Sequence, residues 1–342
     1  MSESLIIFAE SKIFNMKRLI LFFALLMASF SSAQLFDDLD DILAATTADA
    51  QKLADAYVTP LGQSLTYSLN GGWASSAKTH KKLGFDLTIG AVSSSISDAA
   101  KKINIKELGL TDLTSSSTTA NTIFGPSDST TFTYALPAGQ SQSVELPGGI
   151  EKDLIMNSIP MPYVQAGVGL VFDTDLIVRY IPKIENQGAE FGLFGVGLKH
   201  NLMQYFGVFD KLPLNVSALA SYSKMTIDYQ LSSANPDQKV SYDVNTFLVQ
   251  ALASLDFPIV SVMGGLGYGR GNAAFNMLGS YDIQLANATT KTLKDPLSSE
   301  NTYTGMHTMI GARANLLFLK IFANYTLQEF NTLNLGVSFN FR

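Results

Sequence analysis

Three histidines, His80, His200 and His307, are the side chains of this chain best suited to acid–base chemistry near neutral pH. A hydrolase would need one of them beside a nucleophile and an orienting group. The run His307-Thr308-Met309 does not match the His-x-Ser-Asn pattern of barrel phospholipases. The sequence therefore predicts no enzyme and no catalytic residue.

Composition argues against several other kinds of chemistry. The chain has no cysteine, which excludes disulfides, thiolate metal sites and a lipid-modified cysteine. Its formal net charge is −6; residues 1–33 hold three basic and two acidic groups, so the remainder has 20 and 27, or −7. An acidic chain is not expected to bind nucleic acid. The glycine-rich run 264–269 lacks the Lys-Ser/Thr of a phosphate loop, so it predicts a strand with small inward residues, and we expect no cofactor and no metal ion.

The last ten residues alternate strictly between apolar and polar or small side chains. Leu333, Leu335, Val337, Phe339 and Phe341 form the apolar face, which is the pattern of a half-buried strand. Within this strand, Asn334, Gly336, Phe339 and Phe341 resemble the C-terminal signal by which the barrel-assembly machinery recognises outer-membrane β-barrels. The resemblance implies that this machinery is a partner and that the strand closes a barrel in lipid.

The N-terminus predicts export. Lys17 and Arg18 precede an apolar run, Leu19–Ser29, and the small residues up to Ala33 offer a cleavage site. The run is shorter than the roughly 20 residues of a spanning helix. We interpret residues 1–33 as a signal peptide, with 1–15 as a candidate mis-assigned upstream start. The predicted location is the cell outer membrane of a Gram-negative bacterium, with lipid as a partner.

Between these ends, period-2 segments recur and predict an all-β membrane protein, a closed antiparallel transmembrane β-barrel. Eleven segments qualify as strands, including 65–69; counting 130–136 makes about twelve, and fourteen if 141–147 or 272–284 also join the wall. The barrel domain is 61–342, in which 96–160 contains periplasmic and extracellular insertions, with a helix over 96–110. The predicted lipid face contains Leu87, Ile89, Val168, Leu170, Val216, Ala218, Ile321, Ala323, Val337 and Phe339.

On the opposite, inward face the pattern places His307, Arg313, Asn315, Arg179 and Gln165. These are the lumen-facing candidates. For His307 and Arg313, the alternatives are a contact to a polar ligand and a hydrogen bond or ion pair between the wall and a plug.

Residues 34–60 precede the predicted strands. Apolar side chains recur at helical spacing from Leu35 to Tyr57, acidic residues occupy the first turns, and Pro60 ends the segment. We expect a short N-terminal helix that lies in the periplasm or plugs the barrel. Trp73, the only tryptophan, is expected at a membrane interface, with a contact to the plug as the alternative.

Taken together, the signal peptide, the helix, Tyr57-x-x-Pro60, the run 69–73 and the run 159–170 resemble an uncharacterised family of Gram-negative outer-membrane proteins. More distantly, the layout is similar to the long-chain fatty-acid transporter (FadL-like) class. That resemblance implies a channel or transporter for small hydrophobic molecules. The alternative is a non-transporting structural barrel or a subunit of a larger outer-membrane assembly.

Overall fold

The computed structural model describes residues 47–136, 140–186, 188–206, 213–231, 235–284 and 290–341. The predicted signal peptide and the acidic start of the predicted helix lie outside these ranges. Among the described helices, none is long and apolar enough to cross a membrane.

Ten antiparallel strands form a closed barrel in the order β1-β16-β15-β14-β11-β10-β9-β8-β7-β6. The last strand pairs with the first, Phe341 opposite Phe85, and the closure leaves no free sheet edge at this seam. The wall strands are β1 (Phe85–Ser95), β6 (Ser158–Gly169), β7 (Thr174–Asn186), β8 (Ala189–Asn201), β9 (Leu214–Gln230), β10 (Lys239–Asp256), β11 (Val260–Leu278), β14 (Leu297–Leu316), β15 (Leu319–Leu327) and β16 (Thr332–Phe341).

The prediction of about twelve wall strands is wrong, and so is the count of fourteen. Residues 65–69 belong to a helix, α1 (Thr47–Asn70), and not to the wall. Residues 130–136 fall mostly in β4 (Thr130–Ala135), which pairs with β5 (Ser141–Leu146) outside the barrel. Residues 272–278 extend β11, while β12 (Ser280–Gln284) and β13 (Thr290–Lys294) form a hairpin above it.

Helix α1 runs inside the barrel, which corrects the periplasmic alternative and the predicted end at Pro60. Ser64, Thr66 and Ser68 are as deeply buried as Leu65 and Leu69, because the wall surrounds the helix on all sides. The alternation in 64–70 therefore does not mark a strand, because polar and apolar side chains of this helix are buried alike. Pro60 lies within the helix.

The beginning of α1 lies at the end of the barrel that carries the long connections, which we call the cap end. The other end, with the tight connections 170–173, 257–259 and 317–318, is the turn end. The pairing of β14 with β15 ends at Thr308, and beyond it this edge of β14 has no strand partner within the described ranges. Gln51 bonds to the backbone there: its Nε2 donates to the Ser298 carbonyl (2.5 Å) and its Oε1 accepts from the Ser298 amide (3.2 Å).

Residues 96–157 form a cap over this end. They contain β2 (Lys102–Asn104), β3 (Thr119–Asn121), β4 and β5, and three short 3-10 turns, Asp98–Lys101, Ile105–Leu108 and Glu151–Asp153. The helix predicted over 96–110 is therefore replaced by two such turns and a short strand. The described residues of this segment connect β1 to β6. The assignment of periplasmic and extracellular insertions within 96–160 stays a prediction.

Asp49 joins the helix to the cap. Its buried carboxylate accepts hydrogen bonds from the backbone amides of Thr111 (2.9 Å), Asp112 (2.8 Å) and Leu113 (3.0 Å). Burial alone would raise the pKa of Asp49, but these donors outweigh it and hold the pKa below its usual value of 3.8.

The interior divides into two halves of different chemistry. At the cap end, α1, the cap and the inward faces of the long strands share one apolar core, which includes Leu53, Tyr57, Phe132, Tyr242 and Phe275. Toward the turn end the chain continues past α1 as an extended segment, residues 71–84, among polar and charged wall residues. The charged and polar side chains that could bind a ligand in the lumen therefore lie in this half.

Candidate functional site in the barrel lumen

Arg179 of β7 lies at the end of α1 and is completely buried. Its guanidinium donates hydrogen bonds to the carbonyls of Leu69 (3.3 Å) and Gly71 (3.0 Å), and to Gln165 Oε1 (3.1 Å). The guanidinium carbon also lies 4.3 Å from the ring centroids of both Trp73 and Tyr163. We call Arg179, Gln165, Tyr163 and Trp73 the arginine clamp.

Helix chemistry explains why a cation is found there. The last turn of α1 has no basic residue of its own, although the carbonyls at a helix C-terminus favour a positive charge. Arg179 supplies that charge from the wall. Gln165 faces Arg179 directly across β6 and β7, and it also donates to the Trp73 carbonyl (3.4 Å). The clamp therefore fixes the position of the helix end relative to the barrel.

The sequence-predicted lumen residues separate into three groups. Arg179 and Gln165 meet in the clamp. Arg313 and Asn315 lie together near the turn end on β14, where both contact Ser261 (3.3 and 3.0 Å). His307 lies between these two pairs and is buried beside the end of α1. It makes no hydrogen bond within the described residues.

A cavity of about 520 Å³ occupies the turn end of the lumen. It lies between residues 72–81 on one side and the inward faces of most wall strands on the other. The charged residues that line it are Lys78, His80, Lys81, Asp86, Asp175, Lys199, Asp256, Arg313 and Lys320. The cavity is thus polar, in contrast to the apolar core at the cap end.

Two carboxylates of the cavity wall form ion pairs. Asp175 lies 3.1 Å from Lys199 Nζ and 3.1 Å from His80 Nδ1, and it accepts the His80 backbone amide (2.9 Å). Asp256 accepts from Arg313 Nη2 at 2.9 Å and from the Ser254 hydroxyl at 2.6 Å. These contacts connect the extended segment to the wall at the turn end.

Within the described ranges, no three His, Asp or Glu side chains converge so as to hold a metal ion.

Several residues of this site were missed by the sequence. Trp73 is 3% exposed and lies in the lumen. The predicted position of Trp73 at a membrane interface is therefore wrong, and the alternative, a contact with the plug, is observed. Tyr163, Lys199 and Lys320 are also inward-facing. Their positions in the period-2 pattern, opposite outward apolar neighbours, were the available signal.

The C-terminal strand has the predicted two faces. Leu335 and Phe341 point outward, whereas Asn334 points inward and accepts from the Tyr163 hydroxyl (3.0 Å). At Gly336, a side chain would collide with the ring of Phe322, so the absence of one lets that ring lie against the wall. Recognition of Asn334, Gly336, Phe339 and Phe341 by assembly machinery stays a prediction.

Comparison with solved structures finds several outer-membrane proteins. The chain is similar to the attachment invasion locus protein Ail of Yersinia pestis (12% identity, TM-score 0.29, 76% of this chain and 100% of that one). It is also similar to the translocator domain of the autotransporter NalP from Neisseria meningitidis (13%, 0.30, 84% and 97%) and to the outer-membrane protease OmpT of Escherichia coli (10%, 0.28, 78% and 100%). At such TM-scores, these likenesses carry no inference about this chain.

Comparison by sequence is more decisive. No curated protein matches the chain. Residues 16–341 match a family of unknown function (DUF6588). Because the match extends over almost the whole chain, the protein belongs to this family.

Proposed function

We propose that this protein is an integral outer-membrane β-barrel whose lumen is closed by its own N-terminal helix. The observation that carries the location is the pattern on the outer surface of the wall. Near the turn end, exposed aromatic rings encircle the barrel, and Phe85 and Phe341 stack at 4.9 Å across the closing seam. The exposed rings of this girdle are Phe85, Phe172, Phe257, Phe318 and Phe341.

A second girdle lies higher on the wall. Tyr222, Phe247 and Tyr268 are each at least 40% exposed. Toward the cap end, the next outward residues on the same strands are Lys224, Asn245 and Arg270. On β9, β10 and β11 the outer surface therefore changes from apolar to polar immediately above these rings, as expected at a membrane boundary.

The spacing of the girdles supports the same proposal. Phe247 and Phe257 are ten residues apart along the chain. Ten strand residues rise about 33 Å, and a tilt of roughly 40° reduces this to about 25 Å, the usual height of the apolar band. β11 and β14 have 19 and 20 residues, about twice the roughly 9–11 that a membrane requires, so their upper halves project with the cap from the outer leaflet.

Packing of the interior supports a closed barrel. The helix, the cap and the upper wall form one apolar core, which water and ions cross only at high cost. The arginine clamp then fixes the helix end in the middle of the lumen. We infer that the protein does not act as an open diffusion pore and that it is a non-enzymatic structural or assembly barrel with an exposed cap.

Transport of small hydrophobic molecules, the function implied by the FadL-like resemblance, is less well supported. It calls for an apolar pocket near the plug, but the cavity beside residues 72–81 is lined by charged side chains. Lipid of the outer membrane and the barrel-assembly machinery are the partners that the proposed location requires.

Cell fractionation and single-channel recording test the proposal together. We expect the wild-type protein in the outer-membrane fraction and no lasting conductance when it is reconstituted into planar bilayers. A soluble product would contradict the location, and a stable open pore would contradict the closed lumen. Mass spectrometry of the purified protein adds a third readout, since a reproducible hydrophobic ligand would favour transport instead.

A further inference from the structure

The turn-end cavity carries an excess of positive charge. Five basic and three acidic side chains line it, with His80 counted as neutral. This excess of two positive charges contrasts with the whole chain, whose net charge is −6. In the low dielectric of a barrel interior, such an excess strongly favours an anion.

All three carboxylates of the cavity already have partners. Asp175 is paired with Lys199 and His80, and Asp256 with Arg313. The third, Asp86, accepts from the hydroxyls of Thr88 (2.7 Å) and Ser338 (3.0 Å) and lies 3.3 Å from the His80 ring. Asp175 and Asp256 are therefore each neutralised by a cation, whereas Asp86, with His80 neutral, interacts with a further cation only at longer range and without an ion pair.

Lys320 is that further cation. It is partly buried on the inward face of β15, and within the described part of the chain its ammonium has neither a hydrogen bond nor an ion pair. Its cross-strand neighbours Asn315 and Ser338 are neutral; the Asn315 side-chain nitrogen donates to Ser261 and the Ser338 hydroxyl donates to Asp86, while Asn315 Oδ1 has no hydrogen-bond partner within the described residues. A partly buried ammonium without a partner is costly, and a bound anion would remove that cost.

We propose that the turn-end cavity binds a small anion through a phosphate or carboxylate group, with Lys320 as its principal contact. The volume of about 520 Å³ suits a small solute. Lys78 and Lys81, which are exposed at the rim, attract the anion toward the entrance. This binding does not depend on transport, since a closed barrel can hold a solute from the side on which the cavity opens.

Calorimetric titration of the full-length, detergent-solubilised protein tests the proposal, with inorganic phosphate and succinate as separate probes at constant ionic strength. We expect saturable binding of at least one probe, weakened tenfold or more by Lys320→Gln. Lys106→Gln, which removes one positive charge from the exposed cap, and Lys320→Arg, which keeps the charge, should bind nearly as the wild type does. A third titration, with a short-chain phosphatidylglycerol, distinguishes a lipid headgroup from free phosphate.

The fluorescence of Trp73 in the wild-type protein provides a second readout, which does not require any variant to fold. Trp73 is the only tryptophan and lines the cavity, so a bound anion should change its fluorescence with the same saturation curve. No saturable binding of any of the three probes would overturn the proposal. So would equal affinities of the Lys320→Gln and Lys106→Gln variants, or binding that leaves the Trp73 emission unchanged.

Discussion

Replacement of Arg179 by alanine should release the end of the plug helix. The change leaves the Leu69 and Gly71 carbonyls and the Gln165 side chain without their donor, and it removes the cation between the Trp73 and Tyr163 rings. Each unsatisfied buried group costs about 1–3 kcal/mol. Water entering the vacated space offsets part of this cost, so we expect a net loss of roughly 3 kcal/mol, or about 100-fold in the equilibrium between seated and displaced plug.

Planar-bilayer recording measures that shift directly. The Arg179→Ala protein should show transient openings about 100-fold more often than the wild type, and it should unfold at a lower temperature on semi-native gels. Arg270→Ala is the matched control, because it removes an arginine that is exposed on the outer surface of β11. Equal conductance and equal thermal stability of the Arg179→Ala protein and the wild type would refute the role of the clamp.

Three further changes test other parts of the structure. Val337→Arg on the outward face of β16 should cost about 2–4 kcal/mol in urea-induced unfolding, whereas Thr304→Arg, above the upper girdle on β14, should change stability little; equal costs would contradict the proposed membrane position. Because the chain has no cysteine, Ala48→Cys should react on intact cells with a membrane-impermeant maleimide, and Asp173→Cys at the turn end should react only after the outer membrane is permeabilised; the reverse pattern would invert the barrel. The lowered pKa of Asp49 means that its stabilisation of the cap is present above pH 3.8 and is lost as the pH falls through the folded-state pKa. Acid titration of cap proteolysis should therefore show a transition below pH 3.8 that Asp49→Asn abolishes, and an unchanged transition in that variant would argue against this anchor.

The faces of the wall strands were predictable from the sequence alone. Leu335 and Val337 alternate with Asn334 and Ser338 because a strand presents successive side chains to opposite sides, and a barrel wall separates two different media. The same local rule places Arg179, Gln165 and Arg313 on the inward face without any information about their partners. Ten of the predicted strands are in the wall for this reason.

Two wrong predictions have different physical causes. Residues 65–69 alternate like a strand but are helical, because inside a barrel a helix meets wall on every side and needs no single apolar face. Residues 130–135 form a strand with the expected pattern, but they pair with 141–146 in the cap. A period-2 pattern indicates two chemically distinct faces, and it carries no information about which strand lies beside it.

Pairings between distant residues were decided only by the tertiary structure. Arg179 and the Leu69 carbonyl are separated by 110 positions in the chain, and Arg313 and Asp256 by 57. Whether an inward charge meets a helix end, a carboxylate or an empty cavity depends on the path of residues 47–84 through the lumen. The sequence by itself determined that the wall has an apolar outer and a polar inner face, because that follows from neighbours along one strand. The three-dimensional fold alone determined that the upper lumen is a packed core and that Lys320 faces a cavity with no hydrogen bond or ion pair to any described residue, because those properties arise where elements remote in sequence meet.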